Sequence, residues 1–168
     1  KSCTARGEFK VCESYSGDFR VEFEYKPDPN DRDDYTARAA LSAHHEEGED
    51  GKCRLEVGGA FVPYKLLDKG IGTKLYEMMM KIAQEKGCKF SSSSNRSVFS
   101  EAFWKKQARK GRAECAGKGR GRYYSPPLTD AETQDKAHAF DKRATAMEKA
   151  RGAADVAEKT AADCKTFN

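Results

Sequence analysis

The sequence lacks any long hydrophobic run, and nothing in it predicts a helix that spans a membrane. No stretch approaches the roughly 18 consecutive apolar residues that such a helix needs. The opening residues, KSCTARGEFKV, also lack the apolar centre of a signal peptide. With 38% hydrophobic and 35% charged residues, the 168-residue chain is typical of a soluble globular protein. We therefore expect a cytoplasmic protein with no membrane partner.

The chain also lacks a CxxC pair. Its six cysteines are widely spaced, which argues against a zinc knuckle and against a dense disulfide framework. We expect reduced thiols at Cys3, Cys12, Cys53, Cys88, Cys115 and Cys164. The run HHEE at residues 44–47 offers side chains that bind metals, but no further ligand follows at a useful spacing. A solvated loop and no metal site are expected there.

Several common catalytic and phosphate-binding motifs are missing too. The Walker loop GxxxxGK[ST] and the nucleophile motif GxSxG are absent, and the Rossmann pattern GxGxxG has no third glycine after Gly70 and Gly72. A concentration of positive charge is present instead. Residues 69–124 contain 14 Lys/Arg and 4 Asp/Glu, whereas residues 1–68 contain 10 and 15. This asymmetry favours an anionic ligand near residues 69–124.

The first third of the chain predicts strands. Residues 18–25 alternate apolar and polar side chains, residues 35–44 are a weaker candidate, and residues 54–62 form a further strand. The compositions of 26–34 and 44–52 predict a turn and a charged hairpin loop. This part of the chain therefore predicts a β-meander.

Helical periodicity begins just after the two glycines. Its apolar stripe over 73–86 comprises Leu75, Met79, Ile82 and Ala83. A short strand at 88–94 leads to a second helix over 98–109, with Ala102 and Phe103 facing inward and Phe99 as a further inward candidate. Short strands are predicted around RAECA and RYYS, at 112–116 and 122–125.

Pro126 and Pro127 mark a boundary, after which the pattern predicts one long helix. We therefore expect a domain over 1–125 and a C-terminal helical extension over 126–168. The fold class is α/β (α+β), with a mixed, mainly antiparallel central sheet, flanking helices and a C-terminal helix.

The stretch LLDKGIGTKLYEMMM, residues 66–80, places two glycines between a strand and a helix. The first N–H groups of a helix lack partners within it, and the helix dipole adds partial positive charge, so a phosphate can bind there. Lys69, Thr73 and Lys74 lie beside this turn. An ordinary strand-to-helix turn is the alternative that the turn alone leaves open.

One segment resembles the GNAT N-acetyltransferase superfamily. The acetyl-CoA loop of that family reads [RQ]xxGx[GA], and LDKGIG at 67–72 matches both glycines, with Leu67 in place of Arg or Gln. The family's second helix carries a pattern close to Nxx[AS]xx[LF]Y. SVFSEAFW at 97–104 is similar to it, with Ser97 for Asn and Trp104 for Tyr. The resemblance implies a GNAT-like fold and an acyl-CoA-dependent N-acetyltransferase with acetyl-CoA as co-substrate.

The resemblance also implies how the cofactor is held. The pantetheine arm would pair with the backbone around Phe61 and Val62, and the pyrophosphate would rest on the N–H groups of 68–73. The implied cofactor-binding set comprises Phe61, Val62, Leu67, Asp68, Lys69, Gly70, Ile71, Gly72, Thr73, Ser97 and Trp104. A neutral amine would attack the thioester directly, with a backbone N–H near Val62 polarising the carbonyl.

The catalytic groups implied by the resemblance are incomplete, because the indole N–H of Trp104 is too weak an acid to replace the family's tyrosine. Tyr123 and Tyr124 are the candidates for the general acid. Glu56 on the cofactor strand is the first candidate for the general base, with Glu22 and Glu24 as further candidates. A solvated strand carboxylate is the other interpretation of each glutamate.

Residues 105–124 combine eight Lys/Arg with one acid and have aromatic residues at both ends. This composition suits contact with nucleic acid, although a solvated basic face or one that meets the 3′-phosphate of CoA would have the same composition. The alternative function is therefore a catalytically degenerate GNAT-fold protein that serves as a structural, assembly or nucleic-acid-binding component. It would use this segment and the C-terminal helix to contact a nucleic acid or protein partner. As an enzyme, the chain would acetylate an amine on a small molecule or a protein.

Overall fold

The structure is a computed structural model that describes residues 1–24, 29–30, 38–47, 52–63, 66–116 and 121–127. The strands of these residues are β1 (Ser2–Arg6), β2 (Phe9–Glu13), β3 (Phe19–Phe23), β4 (Ala40–Glu47), β5 (Cys53–Phe61), β6 (Lys89–Ser91), β7 (Glu114–Ala116) and β8 (Arg122–Ser125). The helices are α1 (Ile71–Lys86) and α2 (Val98–Arg109). The chain divides into two compact units, residues 1–90 and 91–168.

The first unit is built on an antiparallel meander. Strands β1 to β5 pair in the order of the sequence, each antiparallel to the one before. Val21 lies at the centre of this sheet, opposite Val11 on one side and Leu41 on the other. The period-two alternation of β3, with Phe19 and Val21 buried and Arg20 exposed, is what gives the sheet one apolar face.

Helix α1 packs against this apolar face, on strands β3, β4 and β5. The fully buried side chains of the unit include Val21, Leu41, Leu55, Leu75, Met79 and Ile82. Each contributes about 1.5–3 kcal/mol through removal of its side chain from water. The helix ends at Gly87, whose left-handed backbone (φ 71°) lets its N–H reach the carbonyls of Ala83 and Gln84.

The second unit contains α2 and the β7–β8 hairpin. Ser97 caps α2, because its hydroxyl accepts a hydrogen bond of 3.1 Å from the Ser100 N–H. In the hairpin, Glu114 lies opposite Tyr124. The Ser92 N–H donates to the Tyr123 carbonyl at 3.0 Å, so β8 also bonds to the chain that precedes α2.

The predicted fold class is confirmed: the chain is mixed α/β, with a mainly antiparallel sheet and flanking helices. The strands predicted over 18–25 and 54–62 are confirmed as β3 and β5, and the helix predicted over 98–109 has those bounds. The predicted helix over 73–86 is α1, which begins two residues earlier.

Residues 44–47 are a correction, since they extend β4 rather than form a loop. The charged composition is typical of a loop, but pairing with β5 places oppositely charged side chains beside those of β4. Glu46 lies opposite Arg54, and its carboxylate is 2.5 Å from that guanidinium. Ala102 is a second correction, because this side chain is exposed while Trp104 is buried.

The cysteines are a third correction, because those of the described residues are in disulfides rather than reduced. Cys3 and Cys12 occupy directly opposite positions on β1 and β2, with their Cα atoms 4.0 Å apart. Cys53 and Cys88 are 35 residues apart in sequence, yet their Cα atoms are 4.7 Å apart. The register of β1 and β2 creates the first pair, and the packing that brings the end of α1 to β5 creates the second.

Two predictions about chain organisation lie outside the described residues. The structure does not describe residues 26–28 and 31–34 of the predicted turn. It also does not describe the predicted C-terminal helix from residue 128 onward. A domain over 1–125 followed by an extension over 126–168 therefore stays a prediction. Within the part of the chain that the structure describes, neither helix has the length and apolar composition needed to cross a membrane.

Candidate cofactor site

Strand β5 changes face halfway along its length. Ala43 pairs with Val57, but Ser42 pairs with Gly59, so Gly58 is an extra residue and forms a β-bulge. Because a shift of one residue exchanges the two faces of a strand, Gly59 lies on the face opposite Val57. A Cβ on Gly58 would be 2.3 Å from His44 Nε2, so the glycine leaves room for that imidazole.

The residues that follow the bulge line a cavity of about 500 Å³. Its walls are Arg20, Arg38, Ala40, Ser42, Gly59, Ala60 and Phe61. The end of β5 from Gly58 to Phe61 is exposed, and 55% of Phe61 is accessible to solvent. The bulge therefore presents the last residues of the strand to an open cavity instead of to the core.

Glu22 forms ion pairs with the two arginines of this cavity. Its carboxylate is 2.7 Å from Arg20 Nε and 4.0 Å from Arg38 Nη1. The hydrogen bond from Arg20 lowers the pKa of Glu22, and the positive charges nearby act in the same direction, against the effect of burial. The cavity wall thus carries two guanidinium groups, both of which form ion pairs with the Glu22 carboxylate.

The glycine turn lies in the first unit, between β5 and α1. Asp68 and Gly70 both have positive φ, at 62° and 74°. Gly70 is the N-cap of α1, where no side chain caps the helix and no acidic residue lies in the first turn. Its carbonyl accepts the Lys74 N–H at 3.1 Å. The positive end of α1 is therefore not neutralised by a side chain of its own first turn.

Most of the predicted pyrophosphate residues are accessible in this turn. Residues 67–70 are exposed, Gly72 and Thr73 are partly exposed, and 48% of Leu67 is accessible. Ile71 differs, because its side chain is buried in the core and only its backbone is available. Val62 follows the end of β5 and is partly buried. The structure thus places residues 67–73 together at the start of α1.

Four other candidates, Ser97, Trp104, Tyr123 and Tyr124, lie in the second unit, which also contains the buried ion pair of Arg96 and Glu101. Trp104 and Tyr123 are fully buried and stacked, with ring centroids 5.9 Å apart and 13° between the planes. The Tyr123 hydroxyl donates to Glu101 at 3.0 Å, and Arg96 Nε donates to the same carboxylate at 2.5 Å. Tyr124 is also buried.

The surroundings of Tyr123 keep its phenol neutral. Burial is the largest cause that raises its pKa, followed by the negative charge of Glu101 and the hydrogen bond to it. The guanidinium of Arg96, 5.0 Å from the ring centroid, acts in the opposite direction. Ser97 contributes its hydroxyl to the cap of α2.

Glu56, the candidate base, belongs to an ion cluster on β5. Its carboxylate is 3.7 Å from Arg54 Nη2, and 16% of its side chain is accessible. Arg54 is buried and also contacts Glu46. Glu56 lies opposite His44 in the register, on the N-terminal side of the bulge.

Sequence reasoning missed the Arg96–Glu101 pair and the arginines of the cavity. The Gly58-Gly59 dipeptide inside a strand pattern was the available signal for the bulge, because glycine in a strand often marks one. No local signal marks Arg96 and Glu101, since their partner Tyr123 lies more than twenty residues away. Arg20 and Arg38 come together only through the register of β3 and β4.

Neither a protein-family model nor a curated protein sequence matches the chain. Among solved structures, it is similar to a chain in the crystal structure of the NatC complex bound to Gag peptide and CoA. The identity is 17% and the TM-score 0.42, over 67% of this chain and 71% of that one. A likeness at this level does not establish a shared family.

Proposed function

We propose that the chain binds an acyl-CoA at the junction of β5 and α1 and transfers its acetyl group to an amine. The observation that carries the proposal is the β-bulge of β5 followed by an exposed, uncapped glycine turn. A bulge leaves backbone groups of the strand unpaired, and the turn offers further N–H groups at the positive end of a helix. This combination suits an extended ligand with an amide-bearing arm and a pyrophosphate.

The chemistry follows from these backbone groups. The pyrophosphate would accept hydrogen bonds from the N–H groups of 68–73, without help from a polar side chain at Leu67. The pantetheine arm would lie along Phe61 and Val62, which brings the thioester toward the bulge. A backbone N–H near Val62 would stabilise the negative charge that develops on the carbonyl oxygen as the amine attacks.

The proposed catalytic base is Glu56, in the same unit as the glycine turn. Tyr123 or Tyr124 as acid, and Ser97 and Trp104 as cofactor residues, belong to the second unit and stay predictions from the resemblance. Glu56 would accept a proton from the amine, directly or through water. The Tyr123 hydroxyl is buried, keeps its proton and already donates a hydrogen bond to Glu101. The acceptor amine belongs to a small molecule or a protein.

Isothermal titration calorimetry with acetyl-CoA, CoA and ATP tests the proposal. We expect saturable binding of acetyl-CoA and CoA, with a dissociation constant of roughly 1 μM to 1 mM. Gly72→Trp should abolish it by filling the space beside the turn. Glu77→Trp is the matched control, because it adds the same side chain at an exposed position of the same helix. Absence of binding by the parent protein would overturn the proposal.

A catalytically degenerate protein is the second candidate, favoured by the buried, neutral phenol of Tyr123 and by the absence of a phenol at Trp104. Release of the CoA thiol in the presence of an amine separates the two. Binding with no release above the rate of thioester hydrolysis, across primary amines and N-terminal peptides, would favour the degenerate protein.

That second candidate would use the basic segment as its interaction surface. Lys106, Arg109, Lys110 and Arg112 are exposed in the described part of 105–124. A nucleic acid would bind there with an affinity that falls steeply as salt rises, and the slope reports the number of phosphates contacted. A titration with single-stranded RNA at two salt concentrations tests this interaction.

A cytoplasmic location remains a proposal that has lost one of its supports. The expected reduced thiols would have agreed with it, whereas the structure contains disulfides, which are typical of oxidising compartments. Thiol labelling of the protein in freshly lysed cells, with and without prior reduction, would show which state the chain occupies.

A further inference from the structure

The described residues contain one group of three side chains with the chemistry and spacing of a metal site. The ring of His45 and the sulfurs of Cys53 and Cys88 each offer a ligand atom, and these atoms lie within 4.8 Å of one another. The group is separate from the glycine turn and from the cavity beside the bulge. In the structure the two sulfurs form a disulfide.

We propose that His45, Cys53 and Cys88 form a Zn²⁺ site when the Cys53–Cys88 disulfide is reduced. The disulfide and the zinc site are then two alternative states of the same residues. The proposal does not depend on the acyltransferase activity.

Strand register brings the three ligands together. His45 lies opposite Leu55 on β4 and β5, and Glu47 lies opposite Cys53, so His45 and Cys53 are diagonal neighbours on one face of the sheet. Cys88 directly follows Gly87, which ends α1 above that face. The Cα atoms of the two cysteines are 4.7 Å apart.

His45 is held in place before any metal arrives. Its backbone N–H donates to Asp18 Oδ1 at 2.8 Å. Its ring packs against Gly17, where a Cβ would lie 3.2 Å from His45 Cγ. Gly17 also has a φ of 86°, a conformation that other residues rarely adopt. The tip of the β2–β3 hairpin therefore fixes the position of the imidazole.

The donor set selects the metal. Zinc binds thiolate sulfur at about 2.3 Å and imidazole nitrogen at about 2.0–2.1 Å in tetrahedral geometry, which places ligand atoms roughly 3.5–4 Å apart. Rotation of the cysteine side chains brings the separated sulfurs to that spacing. Two thiolates and one imidazole favour zinc over calcium or magnesium, and the fourth position is left for water.

Reduction must precede binding, because a disulfide sulfur is not a thiolate ligand. A phosphine reductant delivers two electrons to the S–S bond, and the sulfurs take up two protons. The phosphine gains the oxygen of one water molecule and becomes a phosphine oxide. Zn²⁺ then replaces the two thiol protons, which are released to solvent.

The test uses the full chain with serine in place of Cys3, Cys12, Cys115 and Cys164, so that Cys53 and Cys88 are its remaining cysteines. The protein is titrated with Co²⁺ before and after reduction by a phosphine, and Zn²⁺ affinity is measured by competition with Co²⁺. We expect one Co²⁺ per reduced chain, with a thiolate-to-cobalt charge-transfer band, and no such band in the oxidised chain.

His45→Ala should weaken Co²⁺ binding at least about tenfold. Loss of a residue that only hydrogen-bonds a metal ligand already lowers metal affinity about tenfold, and loss of the ligand itself should lower it more. His44→Ala is the matched control, since that neighbouring ring points to Gly58 on the other face, and it should bind as the parent does. Equal affinity of the His45→Ala variant, or equal binding by the oxidised chain, would overturn the proposal.

Circular dichroism keeps the result interpretable if reduction loosens the fold. Loss of structure that Zn²⁺ restores would support a site that couples metal binding to folding. Loss of structure that Zn²⁺ fails to restore would count against it, as would a cobalt spectrum that is the same with and without His45.

Discussion

The two units, residues 1–90 and 91–168, bury different kinds of side chain. In the described part of the first unit the core is aliphatic and aromatic, and the buried charged side chain is Arg54. The described part of the second unit buries a larger polar set, which comprises Ser91, Ser92, Arg96, Ser100, Glu101, Gln107, Arg122 and Ser125. The core of the first unit mainly removes apolar side chains from water. The core of the second unit must also provide hydrogen-bond partners for its buried polar side chains.

This difference indicates how each unit is specified. An apolar core tolerates small adjustments of shape, whereas a buried ion pair loses much of its stabilisation when one partner is removed. Arg96 illustrates the second case, because its guanidinium also donates to the carbonyls of Ser93 and Gly121 at 2.8 and 2.9 Å. We therefore expect the second unit to depend on a few polar residues and the first on many apolar ones.

The largest effect is expected for Glu101→Ala. The substitution leaves the Arg96 guanidinium buried without its carboxylate, which costs about 3–5 kcal/mol of the free energy of unfolding. Urea denaturation measures the change. Glu114→Ala, at an exposed position of β7, is the control and should change stability by no more than about 0.5 kcal/mol. A loss below about 1 kcal/mol for Glu101→Ala would erase the contrast between the units.

In the first unit, Leu55→Ala should cost about 2–5 kcal/mol, because it removes a fully buried side chain and leaves a cavity. The same urea measurement applies. Leu67→Ala, at a half-exposed leucine of the glycine turn, should have little effect on stability. Equal losses from the two leucines would show that the first core is not organised around the α1 interface.

Tyr123→Phe tests the polar core without removing a ring. At neutral pH it should cost about 1.5–3 kcal/mol, since the phenol donates to a charged group. The cost should shrink above pH 10. The unfolded tyrosine ionises near its ordinary pKa of 10.0, while the folded one has a raised pKa, so the stability from the neutral phenol is present below pH 10 and is lost as pH rises.

Unfolding measured at pH 7 and at about pH 10.5 shows the change, because phenylalanine has no proton to lose. Tyr15→Phe is the matched control, since 99% of Tyr15 is exposed, and it should be neutral at both pH values. A cost for Tyr123→Phe that grows with pH would contradict the assignment of a neutral, buried phenol.

The smallest effect is expected for Glu22→Gln in the first unit. The pKa of Glu22 is lowered, so its contribution is present above the ordinary value of 4.5 and is lost as pH falls through the folded pKa. Solvent limits the contribution to less than about 1 kcal/mol at neutral pH, and the substitution should be neutral in acid. Glu24→Gln, at an exposed neighbour, is the control. A loss as large as that of Glu101→Ala would show that both units rely on ion pairs equally.

The elements that sequence could predict are those with a strong local pattern. The alternation of β3 and the stripe of α1 follow directly from period two and period 3.6. Gly87, which suits the left-handed position, marks the end of α1. The glycine turn belongs to the same class, since its position between strand and helix was visible in the sequence.

The features that sequence could not predict depend on register. The pairing of Cys3 with Cys12 requires β1 and β2 to be aligned, and that of Cys53 with Cys88 requires the end of α1 to reach β5. The Arg96–Glu101–Tyr123 network has no shared motif, and charged side chains at such positions ordinarily indicate a solvated face. The relation of the turn to the residues of the second unit stays a prediction.

The bulge at Gly58 has an evolutionary consequence. Because it reverses the inward and outward alternation of β5, the loss of one codon there would keep the pairing with β4 while realigning the strand's pleat. With that pairing kept, Gly59 and Phe61 would stay opposite Ser42 and Ala40 and would still line the cavity. A single in-frame deletion at Gly58 would therefore preserve the cavity, whereas a deletion after the bulge would change which residues of β5 line it.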